Sequence, residues 1–546
     1  MRSIWTLSAA LGTVLGLSAC GGGGSSSVTP APIVAPAPPP PVSLSFSNQI
    51  GASGLGFSHE FDASYMGMPS LFAGGTAVGD IDADGDLDLF IVRGDVGENL
   101  LMINSGGTFA RSTANPALDN VDGASNAKLS GPLLADFDGD GHLDLFIGGL
   151  DNDGSRLFKG DGAGGFSDVT AGSGIDAMTS ENTISASAGD YDGDGDLDLA
   201  MAHWGTARLA SAPGETETLW RNDSSAGVIQ FTPVSEAAGI SAGLGLTVDG
   251  KIGRDRDYSF VPNFTDIDAD GDLDLLLVAD FRSSRVFQNN GDGTFTDVTD
   301  PTQITDANGM GTDIGDFNND GRPDWFVSSI NGNVLYENMS GTIISKTNSG
   351  AELGAWGWGS CFADFDLDGD QDIYQTNGWV NNTGSSPSEP YDEDRSRLWM
   401  NTDGSFSDEA EDVGLLDTVQ GRAVVCADFD SDLDVDILLL VNGSTDGAIY
   451  WRNDVINASS IGVRLDGPAG NKAGIGATII VEAGGATQTR WVRAGSTFTA
   501  QTPPTQIFGL GDLRVASTVT VDWSDGTQSV VNTVGAGTNL VVSHPG

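Results

Sequence analysis

The chain runs to 546 residues, with 24 Lys+Arg against 76 Asp+Glu and a formal charge of −52. Such a surplus repels phosphate and excludes nucleic acid as a partner, while 39% hydrophobic residues set the chain apart from disordered acidic proteins. Three cysteines and four histidines are too few for a disulfide scaffold or for a zinc or histidine-triad enzyme, and 77 glycines point to a turn-rich, all-β chain of two to four domains.

The N-terminus reads as an address. Met1-Arg2 is a positive start, Ile4 to Leu17 an apolar stretch too short to span a bilayer comfortably, and Leu17-Ser18-Ala19-Cys20 closes it. This resembles the lipobox of bacterial lipoproteins, which implies a signal peptide over 1–19 and lipid attachment at Cys20. Gly21 follows where an aspartate would signal inner-membrane retention, so the expected location is the outer membrane or cell surface, with the lipid as the sole membrane contact. Residues 20–43, rich in Gly, Ser and Pro, read as a tether.

One phrase then recurs seven times, beginning GDIDADGDLDLFI from Gly79 and ending ADFDSDLDVDILL from Ala427. Repeats spaced 48 to 76 residues apart indicate a propeller or solenoid. Each phrase is followed by an aromatic strand (TLWRND, SRVFQN, NVLYEN, SRLWMN) and in most units by a Phe-led strand such as FSDVT from Phe166, so each unit supplies about four short antiparallel strands. Segment 44–57 resembles the closing part of a unit, while the seventh unit breaks off near Asn453. The first strand can therefore complete the last blade and remove both open edges. The expected fold is an all-β, seven-bladed propeller over 44–457 with a small β-domain over 458–546.

The phrase carries metal chemistry. In DxDxDGxxD the first, third and fifth carboxylates converge, glycine at the sixth position allows a sharp reversal, and a seventh-position carbonyl with a ninth-position carboxylate closes an all-oxygen cage suited to Ca²⁺. The candidate ligand positions are Asp80, Asp82, Asp84, Asp86 and Asp88 in loop one; Asp136, Asp138, Asp140, His142 and Asp144 in loop two; and Asp190, Asp192, Asp194, Asp196 and Asp198 in loop three. Loop four offers Asp266, Asp268, Asp270, Asp272 and Asp274, loop five Asp316, Asn318, Asp320, Arg322 and Asp324, loop six Asp364, Asp366, Asp368, Asp370 and Asp372, and loop seven Asp428, Asp430, Asp432, Asp434 and Asp436. Up to seven Ca²⁺ ions are expected. Loops five and seven depart from the pattern, the first with Asn318, Arg322 and Pro323, the second with Leu433 in place of glycine. Loop seven is expected to be the weakest, and Leu433→Gly to tighten it without touching the other loops.

These residues resemble FG-GAP/VCBS repeats, the calcium-loop units of integrin α-subunit propellers. AGIGATIIV from Ala473, WVRAGSTFTAQ from Trp491, IFGLGD from Ile507 and VDWSDGTQSVV from Val521 resemble the ASPIC/UnbV domain of cartilage acidic protein and its bacterial relatives. The resemblance implies an extracellular calcium-binding propeller used in adhesion or recognition, with no established catalytic activity.

Arg93-Gly94-Asp95 is read as a chance tripeptide in a turn. Cys361 and Cys426 lie just ahead of successive phrases with opposite parity, which leaves open both a disulfide and two buried thiols. Three insertions interrupt the repeat, at 202–216, 241–263 and 376–395. The first and third follow the same strand of their units and should share a face. Their Trp204, Trp379 and Tyr391 are candidates for a ligand face, read as exposed loop residues that contribute little packing. The resulting expectation is a surface module that recognises a glycan or a protein and is not an enzyme; the alternative is a calcium-assisted polysaccharide lyase or hydrolase acting on the propeller face. Oligomeric state is left open.

Overall fold

The computed structural model describes residues 41–546 apart from 60–67, 95–96, 120–126, 152, 209–213, 226, 245–255, 331, 347, 380–390, 392, 444–445 and 496. Each repeated phrase forms the first hairpin of a four-stranded antiparallel sheet. In the third unit Ser185–Gly189 pairs with Asp198–Ala202, then Leu219–Asn222 and Phe231–Pro233 follow in order. Six sheets are built from consecutive strands in this way. The seventh combines Gly421–Ala427, Asp436–Val441 and Ala448–Asn453 with the N-terminal Phe46–Asn48, in the register Phe46↔Asn453, so the two ends of the repeat region close on each other as expected. Among the described residues the arrangement is all-β and propeller-like.

Strand position dictates composition. The innermost strands are buried throughout and rich in small residues, as in SASAG and GMGTDIG, because they are crowded around one axis. Gly311 shows the crowding: a Cβ there would lie 2.3 Å from the Trp358 carbonyl oxygen, so only glycine lets these backbones approach. Second strands such as DLLLVA are equally buried, whereas outermost strands such as FSD expose most of their length. Innermost strands contact their neighbours in sequence order and the last contacts the first. Apolar clusters fill the spaces between adjacent sheets: Phe90 and Leu101 with Leu145 and Phe158 between the first two, and Leu89 and Met102 with Leu438 and Tyr450 between first and seventh. A disulfide links Cys361 and Cys426, 6.3 Å apart at Cα, on the innermost strands of sheets six and seven. That resolves the alternative left open by parity.

The C-terminal segment adds a three-stranded sheet, in which Ser460–Asp466 pairs antiparallel with Gln506–Gly509 and parallel with Thr538–Ser543, and a four-stranded sheet around Thr478–Ala483. Both close over their own apolar core, which includes Ile461, Ile479, Val519 and Phe508. These sheets are not detached from the ring. Residues 493–495 and 497–502 enter its central channel and touch all seven innermost strands. Ala500 bridges Thr76, Gln501 exchanges hydrogen bonds with the Leu134 backbone, Ala494 bridges Ala188, Arg493 reaches Asn263, Thr312 N donates to Thr497 O, Phe498 packs on Trp358, and Thr497 Oγ1 donates to Val424 O. Residues 41–546 form one compact unit.

Candidate metal centres and the face behind them

Each metal loop joins an innermost strand to the second strand, and a shared set of backbone hydrogen bonds shapes it. In loops two to seven the first carboxylate accepts from the sixth-position N–H at 2.9–3.0 Å. In all seven the fifth carboxylate accepts from the seventh-position N–H at 2.9–3.2 Å. The ninth aspartate opens the second strand and is held from both sides. One oxygen accepts from the second-position N–H (Ile81 in loop one, Phe317 in loop five), the other from a third-strand N–H at 2.7–3.0 Å.

The loops turn at two left-handed positions. The sixth is glycine in loops one to six, with φ between 80 and 106°, and Leu433 adopts φ 71° in loop seven, so the turn survives without glycine. The fourth position is also left-handed, at Ala83, Ala269, Asn319, Leu367 and Ser431. Left-handed backbone costs these residues about 1–2 kcal/mol each, which the hydrogen bonds to the first carboxylate offset.

Converging carboxylates fit a cation. Oxygens of Asp80, Asp82 and Asp88 lie within 4.8 Å of one another, as do those of Asp136, Asp138 and Asp144, of Asp190, Asp192 and Asp194, of Asp266, Asp268 and Asp274, and of Asp364, Asp366 and Asp372. Oxygens at ~2.3–2.6 Å from a shared Ca²⁺ would span that separation. The buried Oδ1 of the third-position residue has no hydrogen-bond partner in Asp82, Asp138, Asp192, Asp268, Asp366 and Asp430, six of the seven loops. The exception is loop five, where Asn318 accepts from the Asp320 N–H and donates to Glu337. A repeated buried acceptor without a donor is compatible with a cation. Burial raises the ninth carboxylates to about 7 at Asp88, Asp144 and Asp274 and to about 8 at Asp324, despite their backbone donors. An ion there would supply the charge that otherwise must come from a proton.

The C-terminal segment docks on this same face. Asp364 of loop six accepts from Gly509 N, Leu367 O from Gly511 N, and Leu433 O from Ser460 Oγ at 2.6 Å. Leu433 is buried among Leu367, Val435 and Ile507. It is thus part of the docking surface, and Leu433→Gly removes packing as well as backbone strain. Arg490, buried on the Phe508 ring, faces Asp364 and Asp316, and Arg464 lies 3.6 Å from Asp80.

A second repeated residue was visible in the sequence but not assigned a role. The third strand carries Asn at its last or next-to-last position in six sheets, and its Nδ2 donates across to the preceding sheet at 2.7–2.9 Å: Asn104 to Phe429 O, Asn222 to Phe137 O, Asn289 to Tyr191 O, Asn338 to Ile267 O, Asn401 to Phe317 O and Asn453 to Phe365 O. The acceptor is always the second-position carbonyl of a metal loop, so each latch ties a strand to a neighbouring loop. Gly160 replaces it in the second sheet.

Second strands run back from the metal loops, so the insertions that follow them emerge at the opposite ends of the sheets. There Trp204, Trp379 and Tyr391 are half-buried. Trp379 stacks on Trp356 at 4.6 Å and 6°, Tyr391 meets Trp356 edge-on at 5.5 Å, and Trp204 stacks on Phe260 at 5.8 Å. Phe72, Phe260 and Trp358 form the layer beneath, with Phe498 against Phe260 and Trp358, and the Arg422 guanidinium sits 4.5 Å over the Trp358 ring. The reading of these tryptophans as contributing little packing is therefore corrected: they roof an aromatic cluster. The parts of the insertions at 209–213, 245–255 and 380–390 lie outside the described residues, as does Cys20.

Two of the four histidines are buried. His203 is buried, bonded to Thr183 Oγ1 and Glu217 O, and pushed down to about 4 by desolvation; His59 is pushed down to about 4 for the same reason. Arg93 of the RGD tripeptide is tied to Ser58, while Asp95 lies outside the described residues. No described helix is long and apolar enough to cross a membrane.

Comparison with known proteins accords with this geometry. A family model described as ASPIC and UnbV matches residues 467–546, and one described as an FG-GAP-like repeat matches 80–147, 136–201, 266–327 and 316–374. No curated protein matches the chain. Among solved structures it is similar to an Agrocybe aegerita lectin described as recognising non-reducing terminal N-acetylglucosamine, at 18% identity over 62% of this chain and 79% of that one with a TM-score of 0.40. It is also similar to the exotype rhamnogalacturonan lyase YesX (15%, 70% and 72%, TM-score 0.38) and to a Bacillus licheniformis rhamnogalacturonan lyase (16%, 70% and 71%, TM-score 0.33). The chain is a protein of FG-GAP-like repeats that ends in an ASPIC and UnbV domain.

Proposed function

We propose that this chain is an exported recognition protein, lipid-anchored through Cys20 at the outer membrane or cell surface, whose seven-bladed calcium-binding propeller presents an aromatic face to a glycan. Residues 20–43 are the tether, and the C-terminal β-domain covers the calcium-loop face and plugs the channel, so ligand approaches from the insertion side. The observation that carries the reading is the half-buried aromatic roof of Trp204, Trp356, Trp379 and Tyr391. A sugar ring offers an apolar C–H face to an indole plane and hydroxyl oxygens to indole N–H donors. The buried Nε1 atoms of Trp204 and Trp356 have no partner among the described residues. The order of the roof supports a preformed site, since Trp356, Trp358 and Trp379 are stacked in sequence.

The test is a glycan array with a surface-proteome pull-down, using soluble protein from Val42 onward in calcium. The expected result is retention of a glycan without cleavage, lost in Trp379→Ala with circular dichroism unchanged. Cleavage of a bound polysaccharide that stops on chelation would replace this reading with a calcium-assisted lyase or hydrolase, and capture of a protein with no glycan signal would move the ligand to a protein. For the anchor, Cys20→Ser should abolish acyl labelling and membrane fractionation.

A further inference from the structure

The seven loops are of two kinds. In every loop the fifth carboxylate spends Oδ1 on the seventh-position N–H, which leaves Oδ2 as the oxygen it can offer a metal. In two loops a cation of the chain already holds that oxygen. Lys159, on the third strand of the second sheet, places Nζ 2.9 Å from Asp140 Oδ2 and also on Oδ2 of Asp138, whose side chain is fully buried. Arg322 pairs with Asp320 Oδ2 in loop five and is fixed there by a 2.8 Å bond from Nε to Asn338 O. Among the described residues no ion pair engages the fifth carboxylate of loops one, three, four, six or seven.

We propose that Lys159 and Arg322 close loops two and five to calcium, so that the chain binds five ions and not seven. This rests on the calcium reading above. The physical argument is that a cage of three or four carboxylates must be neutralised, and a tethered ammonium or guanidinium does so without the cost of capturing an ion. Each cation also withdraws ligand oxygens: Lys159 takes one from the third and one from the fifth position, whereas in loop five the third ligand has already lost its charge at Asn318. A Ca²⁺ ion entering either cage would lie beside a positive group and find its coordination incomplete. The same feature has a structural use. Sheet two is the one whose third strand ends in Gly160 and lacks the Asn latch, and Lys159, the preceding residue, ties that strand to its loop permanently.

The experiment is calcium stoichiometry of the full chain by native mass spectrometry, with calorimetric titration for affinities. Five ions are expected in the parent chain, five in Lys159→Arg, and six in Lys159→Met, the sixth site at least tenfold tighter than any seen at loop two in the parent. Asn318→Asp with Arg322→Gln should likewise add one. Seven ions in the parent, or five in Lys159→Met with a native far-ultraviolet spectrum, would overturn the proposal while leaving the calcium reading standing. No bound calcium in any of these proteins would overturn both.

Discussion

The two faces of the ring are built by opposite means. On one, seven near-copies of a nine-residue loop repeat the same turn and the same bond to the fifth carboxylate, and the C-terminal sheets dock on loops six and seven. On the other, the connections differ: those from second to third strand run from four residues (330–333) to nineteen (378–396), and the aromatic side chains of sheets three and six come from unrelated sequences. The difference teaches that repetition serves stability, because one solution to burying a charged turn can be copied seven times, whereas ligand recognition needs a surface that occurs once. Phe498 connects the faces, carried in from the loop side to lie beneath the aromatic roof.

The comparison breaks most sharply when calcium is removed. Five sites of ~10⁻⁴ to 10⁻³ M dissociation constant at millimolar calcium stabilise the fold by roughly 2–7 kcal/mol in all, so chelation should lower the urea midpoint by a corresponding amount. It should also reverse the pH dependence. Burial holds Asp88 and Asp274 near 7 in the metal-free fold, against about 3.9 when unfolded. The folded state then binds more protons than the unfolded, so stability is fully present below the unfolded value and falls as pH rises from about 4 to 8. With calcium bound the ligands must be ionised, and stability should instead rise with pH. Urea titrations at pH 5 and pH 8, with calcium and with chelator, should give slopes of opposite sign; parallel slopes would refute calcium as the neutralising charge.

Phe498→Ala should come next, at about 3–5 kcal/mol for a fully buried aromatic. It should also weaken glycan retention although Phe498 lies under the roof, and a stability loss with affinity intact would separate the plug from the ligand face. Asn401→Ala leaves the carbonyls of Phe317 and Gln371 without their 2.8 and 3.0 Å donors, at about 2–4 kcal/mol by chemical denaturation. Leu433→Gly should have the smallest effect, a net loss of about 1–2 kcal/mol, as lost packing outweighs about 1 kcal/mol of relieved left-handed strain. A gain in stability there would show that docking of the C-terminal sheets does not depend on that side chain.

Some of this was legible from residues alone. The aspartate spacing determined the loop positions, the recurrence determined four-stranded units, and the orphaned fragment at 44–57 announced that the chain closes on its own beginning, because each is a local pattern whose geometry follows from backbone periodicity and turn chemistry. The Asn at the end of the aromatic strands was equally visible, yet its partner is a carbonyl 71 to 325 residues away in the chain, and nothing local distinguishes a latch from a turn residue. Only the tertiary structure decided that Cys361 meets Cys426, that Lys159 lies on Asp140, that Leu433 is buried in a docking surface, and that WVRAGSTFTAQ is a plug. All four depend on which sheets stand side by side around the axis and on what covers them, and a sequence pattern with a period of one strand carries no information about contacts made between units.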